Sequence, residues 1–470
     1  MSELIWRDAI AQADAIRSGK VSAVELTGTY LDRIERLDGI LRTFVTVDRE
    51  GAMRAAAQVD AQQRSDPASC LPFSGIPMSI KDTDDVAGMP TTHSCAVLAD
   101  RIAADDAPVV TRIRSSGAII LGKSNLPEFC STMTTSRLNG TCRNPWDLSR
   151  TPGGSSGGAG AALAAGLCAL SHGTDGGGSV RTPASWCGVA GIKPTRGLVT
   201  FGPELDHPSY GTSSHGILTR SMRDMAAMLD FIAPRESWTP WRPRSFADEV
   251  REPSGKLRIG LCTSFPAGEV ETEVASAVEA AGRLAEDLGH TVEWVQPAWE
   301  TVLSAVVPMA APGIAHLVAM GDIDLLEPRN QPMLRYEQEL TVLDHYRMIE
   351  RARAARLEFL RLWSGIDVLL APVAGIVAPP VEWAPWDQTP EEHRRRFSDF
   401  ANFAHPINLS GQPAISLPLA WSEAGLPIGV QLVGRPLEEA TILKLGAQFE
   451  EALPWLDKMA SVSAILDQPS

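Results

Sequence analysis

The segment TPGGSSGGAGAALAAG (151–166) is followed, after six residues, by GTDGGGSVRTPASWCGVAGIKPTRG (173–197). Each half sets a serine among glycines, Ser155 in the first and Ser179 in the second, 24 positions apart. The run 159–170 between them is small and apolar on all sides, which marks a helix buried all round. It is too short and too glycine-rich to span a membrane. A second helix is expected to begin near Ser179 and to end before Gly188. Consecutive glycines allow backbone N–H groups to converge on one point, as an oxyanion hole requires. Gly176, Gly177 and Gly178 stand in that position just ahead of Ser179. A helix starting there adds its positive end to the same spot.

Outward from this core, short apolar strands alternate with helical patterns. Residues 72–80 turn into an apolar run that enters Lys81, and Ala118–Leu121 forms a second buried strand. Further strands are expected at Leu257–Cys262 and Val368–Leu370, and Ala414–Leu417 and Ile428–Val433 alternate like a pair. Residues 4–65 read as helical, with a capping box at Ser22 and Glu25. Helices are also expected at 270–288, 338–363 and 438–452. The alternation implies an α/β layered fold around a mixed sheet. There is no internal repeat. The stretch 233–256, rich in proline, charge and tryptophan, reads as a surface excursion from one domain rather than a linker. Arg394–Arg396 after Glu391 and Glu392 reads as a solvated helix face.

Composition narrows the function classes. A net charge of -15 argues against nucleic acid and anionic membrane as partners. The seven cysteines are odd in number and form no CxxC pair, which fits reduced thiols and a cytoplasmic location. The first twenty residues lack a basic segment followed by an apolar one, so no secretory signal is expected. No metal-ligand spacing is present, so neither metal nor cofactor is expected.

Two motifs match by letter and fail by context. Gly117 to Ser124 fits GxxxxGK[ST], but a phosphate loop follows its strand, whereas here the apolar strand-like residues lie between the glycines. Lys123 is therefore read as structural. Gly154, Ser156 and Gly158 fit GxSxG, but a nucleophile elbow needs a strand immediately before the serine. The preceding NPWDLSRTP is turn-rich, and no histidine downstream has a marking context.

A serine hydroxyl is a weak nucleophile and needs a base. Lysine serves when burial or nearby positive charge keeps its amine neutral. Lys81 closes GIPMSIKD (75–82), behind Ile76, Pro77, Met78 and Ile80, where burial is expected. Two glycine-flanked serines with an upstream buried lysine describe acyl transfer without histidine, metal or cofactor.

With these residues in place the chain resembles the amidase signature family. The matching stretches are GKSN (122–125), NPWD (144–147), both serine segments, GIPMSIKD, and NLSGQPAISLPLAWSEAGLPIGVQLVGRP (408–436). The resemblance implies a single amidase domain over 1–470, an α/β fold with a mixed central β-sheet covered by helices on both faces. Within it, 1–65 is a helical N-terminal segment, about 66–200 the serine-rich catalytic core, and about 300–345 a variable substrate-side segment. It assigns Ser179 as the acylated nucleophile, Ser155 as the bridging serine after a cis peptide bond, and Lys81 as the base. The oxyanion hole falls on the amides of residues 176–179, with Gly176, Gly177 and Gly178 as its loop. Asp175 and Arg181 hold that loop, and Ser156 supports the backbone. Where many members carry Thr, Ser or Ile, this chain has Gly176, which widens the space beside the nucleophile. Cys130 and Thr132, after Asn125–Glu128, are placed in the acyl pocket. Apolar residues of 303–335, among them Met309, Ile314, Leu317 and Met320, suggest a lid or tunnel wall.

The segment around Trp6 and the DGGGS variant resemble members acting on xenobiotic-like amides, including cyclic oligoamides. The expected substrates are therefore small molecules: apolar, aryl or oligoamide amides, and the chemically close carbamates and esters, so that urethanase activity is included. A homodimer is compatible with this reading. The rival assignment is the glutamine-hydrolysing subunit of a tRNA-dependent amidotransferase, which would need a partner protein.

Overall fold

The run between the two serines, expected as a helix over 159–170, folds as one at Gly157–Ala164 with every residue buried, and Leu170 already opens a strand. A Cβ on Gly158 would stand 2.4 Å from the Asn125 nitrogen and 2.5 Å from the Thr43 oxygen, so only glycine lets the helix lie against those backbones. The computed structural model describes residues 3–202, 211–233, 244–266, 268–306 and 314–466.

In chain order the strands are β1 (Phe44–Val47), β2 (Pro77–Lys81), β3 (Ile119–Ser124), β4 (Thr135–Ser136), β5 (Gly140–Thr141), β6 (Leu170–Asp175), β7 (Ala190–Lys193) and β8 (Ser214–Thr219). They continue as β9 (Arg258–Leu261), β10 (Thr291–Trp294), β11 (Val368–Pro372), β12 (Ala414–Trp421) and β13 (Pro427–Val433). Among the described residues, eleven of them form one sheet in the order β1-β3-β2-β6-β8-β7-β12-β13-β11-β9-β10, and β4 pairs with β5 apart from it. The sheet is mixed. β3, β2 and β6 run parallel, as do β11, β9 and β10, while β8, β7, β12 and β13 join the two parts through antiparallel pairs. The central strands read as continuous buried runs because helices cover them: Pro77–Lys81 and Ile119–Ser124 are buried at every residue.

Several boundaries differ from the sequence reading, each for a local reason. The N-terminal segment is not uniformly helical. Helices Ala23–Leu41 and Arg49–Ser65 flank β1, a four-residue Phe-Val-Thr-Val edge strand paired antiparallel to β3. Such a run is too short to show a period of its own. The helix expected at 338–363 is two, Gln331–Glu339 and Val342–Leu360, because Thr341 and Asp344 form a capping box that starts the second. The helix expected near Ser179 begins at Arg181, two residues after it, and ends at Cys187 with Gly188 left-handed at φ 69. Part of the proline-rich stretch 233–256 lies outside the described residues, as does Met309.

The phosphate-loop mimic is β3 itself. Lys123 Nζ is paired with Asp82 Oδ1 at 2.9 Å, both side chains fully buried. A Cβ on Gly122 would lie 2.0 Å from the Thr46 oxygen, so this glycine serves the approach of β1.

Candidate active site

β2 delivers Lys81 and β6 delivers Thr174 and Asp175. The two strands pair only at Met78↔Leu170 and Ser79↔Ser171. Beyond that point they separate, and the Lys81 side chain occupies the gap. Its Nζ donates to Ser155 Oγ at 2.7 Å and to Thr174 Oγ1 at 2.9 Å. Lys81 is 0% and Ser155 1% exposed, so bulk water does not compete for the contact. Burial lowers the Lys81 pKa, opposed by the nearby Cys130 thiol, Asp84 and Asp175.

Ser155 precedes the buried helix, and its peptide bond to Gly154 is cis. The Gly154 position is enclosed: a Cβ there would stand 1.9 Å from the Thr132 oxygen and 2.7 Å from Met133 Cα. Gly154→Ala is accordingly expected to destabilise the fold by about 3 kcal/mol, the upper end of overpacking costs, measured as a fall in the urea midpoint. Thr134 fixes the same turn from the other side: its hydroxyl donates to the Gly153 carbonyl at 2.9 Å and accepts from the Gly157 N–H at 3.0 Å.

The two serine segments meet through the backbone. Ser156 N–H donates to the Ser179 carbonyl at 3.0 Å, and Ser156 Oγ donates to the Thr174 carbonyl at 3.2 Å. Ser179 is half-buried, as are Gly176 and Gly177. The Gly178 N–H is committed to Asp175 Oδ1 at 2.8 Å. The amides of Gly176, Gly177 and Ser179 have no acceptor among the described residues. This narrows the donors of the 176–179 loop to those three and gives Gly178 a holding part. Gly178 also has φ 107, and a Cβ on it would lie 2.7 Å from Ala404 Cβ.

Asp175 organises the loop. Its carboxylate accepts from Gly178 N–H, from Val180 N–H at 3.0 Å and from Arg181 Nη2 at 2.8 Å. Burial pushes this carboxyl upward, but Arg181 and the hydrogen bonds of Arg181 and Asn408 more than offset it and hold the pKa well below the usual range. Arg181 donates onward to Gln431 Oε1, Asn408 Oδ1 and the Ala404 carbonyl. Removing one partner leaves a buried charge unpaired. Asp175→Ala is expected to cost about 3–5 kcal/mol in stability, read from urea unfolding.

The expected site residues thus come together. Lys81 and Ser155 touch, Ser179 joins them through Ser156, and Cys130 lies close enough to Lys81 to influence its proton affinity. Thr132 backs onto Gly154 through its carbonyl, and its hydroxyl is buried without a partner among the described residues. The stretch 128–137 is held from behind by residues 327–330. Glu327 N–H and Asn330 Nδ2 donate to Glu128 Oε2 at 2.9 and 2.7 Å, and Arg329 Nη2 donates to the Thr135 carbonyl at 2.8 Å. Ile314, Val318, Leu326 and Leu334 pack there with Cys95 and Phe129. Residues the sequence did not single out are Thr174, Thr134, Asn408 and Gln431. Asn408 acts 233 positions from Asp175, a distance at which spacing carries no signal.

Comparison with known proteins gives the family. The family model described as Amidase matches residues 25–443. The chain is 38% identical to the putative amidase AmiB2 of Mycobacterium tuberculosis, over 98% of this chain and 99% of that one. It is 33% identical to the 6-aminohexanoate-cyclic-dimer hydrolase of Paenarthrobacter ureafaciens, over 96% of each. A solved structure of 6-aminohexanoate cyclic dimer hydrolase complexed with substrate superposes with a TM-score of 0.90 at 31% identity, covering 98% of this chain and 99% of that chain. The match along nearly the whole length, together with the shared architecture, places this chain in the amidase family, as a hydrolase acting on amides.

Proposed function

We propose that the chain hydrolyses carboxylic amides through an acyl-enzyme on Ser179, with Ser155 as the bridging group and Lys81 as the base. The observation that carries this is the Lys81 Nζ to Ser155 Oγ contact of 2.7 Å inside a closed site. A buried amine held neutral can accept the Ser155 proton, and Ser155 in turn accepts the proton of Ser179. Ser179 Oγ attacks the amide carbon. The oxyanion rests on the amides of Gly176, Gly177 and Ser179, with Gly178 and Asp175 fixing the loop. Ser155 returns the proton to the departing amine. Water then enters, gives its proton to the same relay, and releases the acid. No step calls for a metal, so EDTA is expected to leave the rate unchanged.

The acyl pocket is assigned to Cys130 and Thr132, with 325–330 as the wall behind them. Phe129 and Met133, buried and apolar beside them in the chain, support aryl, long-chain or oligoamide substrates and the related carbamates and esters. The protein similar to it that hydrolyses a cyclic dimer of 6-aminohexanoate supports an oligoamide among them. Among the described residues no helix is long and apolar enough to cross a membrane. Amine release from an anilide, a long-chain amide, a cyclic oligoamide, an aryl carbamate, an amino-acid amide and glutamine tests the reading, with Ser179→Ala protein as blank. Turnover of the apolar members supports it. Turnover of glutamine alone, or only after a partner is added, moves the assignment to an amidotransferase subunit.

The pH profile follows from the base. A lysine works here when it is neutral, so kcat/KM should rise with pH through the Lys81 pKa, which burial sets below its ordinary value of 10.5. An acid optimum would count against the relay.

A further inference from the structure

The β2–β6 ladder ends at Ser79↔Ser171, yet Lys81 and Thr174 act beyond that end. The next strand across is β8. Three buried side chains lie on these same segments and take no part in the relay. Asp84 follows Lys81 by three residues, and its N–H donates to the Lys81 carbonyl at 3.2 Å. His172 lies two before Thr174 on β6, and so projects on the same face. His215 on β8 is the direct cross-strand partner of Thr174. His172 Nε2 and His215 Nδ1 are 3.0 Å apart, so one donates and the other accepts. Asp84 Oδ1 stands 3.8 Å from His215 Nδ1. Phe201 closes the cluster, stacked on His215 with ring centroids 3.9 Å apart. His172 Nδ1 is buried with no hydrogen-bond partner among the described residues.

A carboxylate and two imidazoles cost stability when buried with incomplete pairing. A fold retains such a group where it serves something else. We propose that Asp84, His172 and His215 form a positioning array that continues the sheet by side chains where its backbone ladder ends, and holds Thr174, and through it Lys81 Nζ, against Ser155 Oγ. The array spans the ends of three adjacent strands, the two that carry Lys81 and Thr174 and the one behind them.

Its charge is simple. Burial pushes both imidazoles down, His172 to about 3, so both are neutral near pH 7. Burial pushes Asp84 up, but its surroundings, the Thr83 hydroxyl and the Lys123 charge among them, outweigh it, and the carboxyl stays ionised. Lys81, Lys123 and Arg112 face the cluster with positive charge, His93 lies on its Asp84 side, and Cys130 and Asp175 face Lys81 from beyond. The three donor atoms lie within 4.8 Å of one another, a spacing a metal ion also fits. The surrounding cations and the existing imidazole–imidazole hydrogen bond favour positioning over ion binding.

The array rests on Lys81 being the base, and the test separates the two. Asp84→Asn keeps the size and removes the anion. Lys81 then holds its proton less tightly, and the acid limb of kcat/KM moves to lower pH by about 0.5–1 unit. His215→Asn breaks the imidazole pair without changing net charge. It is expected to lower kcat about 10- to 100-fold, with KM within about twofold and the limb unmoved. Asp84→Glu retains charge at a longer reach and should lower kcat without moving the limb, and it replaces Asp84→Asn if that protein does not fold. A limb that stays put in Asp84→Asn, or moves in Asp84→Glu, overturns the proposal. So does a kcat loss in His215→Asn that is matched by a partly unfolded population in near-ultraviolet circular dichroism. If Lys81→Met keeps more than about 1% of activity, the base assignment fails and the array with it. An inactive Lys81→Met with an unshifted Asp84→Asn removes the array alone.

Discussion

Ser179→Ala is expected to lose turnover by on the order of 10^4- to 10^6-fold while unfolding at the wild-type urea midpoint. Ser179 Oγ makes no hydrogen bond among the described residues, and the residue is half-buried in a loop whose shape is set by Asp175 and Gly178. Nothing that holds the fold is removed with it. The loss is therefore chemical, about 5–8 kcal/mol of transition-state stabilisation at 1.36 kcal/mol per tenfold. Residual activity above about 1% would remove Ser179 from its role. A mass increment after reaction with a fluorophosphonate, mapped to the peptide holding Ser179, checks the site independently.

Lys81→Met should be comparably severe, because the relay works as a unit. The double variant Ser179→Ala with Lys81→Met is expected to be no slower than either single change. Stability runs the other way. The buried lysine has a lowered folded-state pKa, so between that value and the ordinary 10.5 the unfolded chain binds a proton that the folded one does not. Unfolding free energy then rises with pH across this window. Below the window the burial penalty is complete, and Lys81→Met removes it at the cost of hydrogen bonds to Ser155 and Thr174. The stability difference between variant and wild type should shift in favour of wild type as pH climbs toward 10.5. A pH-independent difference in denaturant titrations would show that Lys81 is not desolvated in the way its 0% exposure implies.

Much of this was legible in the chain because the informative features are local. Glycine runs, a lysine behind apolar residues and a buried small-residue helix each declare themselves within about ten residues. The alternation of strands and helices gave the fold class for the same reason. What escaped is non-local or short, apart from β6 and β8, strands of six residues each that the sequence reading also missed. β1, β7 and β10 have four residues each, fewer than a period needs to show itself. Thr174 carries no signal of its own in the sequence, and its part appears only with β2 and β6 side by side. Asn408 and Gln431 bind an arginine more than 220 positions away, and no spacing rule reaches that far. That the Gly178 N–H is taken up, while those of Gly176, Gly177 and Ser179 have no acceptor among the described residues, depends on where Asp175 points, which composition cannot say.

The strand order carries a consequence for biosynthesis. The hairpin of β12 and β13 is the last piece of the sheet to leave the ribosome, yet it sits between β7 and β11, in the interior. A nascent chain that has reached residue 400 holds two half-sheets with facing open edges, and open edges template pairing with other chains. The same hairpin brings Gln431, and the helix just before it brings Asn408, so the Arg181–Asp175 pair under Ser179 waits for them too. Chaperone shielding late in translation, and an inactive, aggregation-prone product from any truncation ahead of Ala414, follow from one insertion in the middle of a sheet.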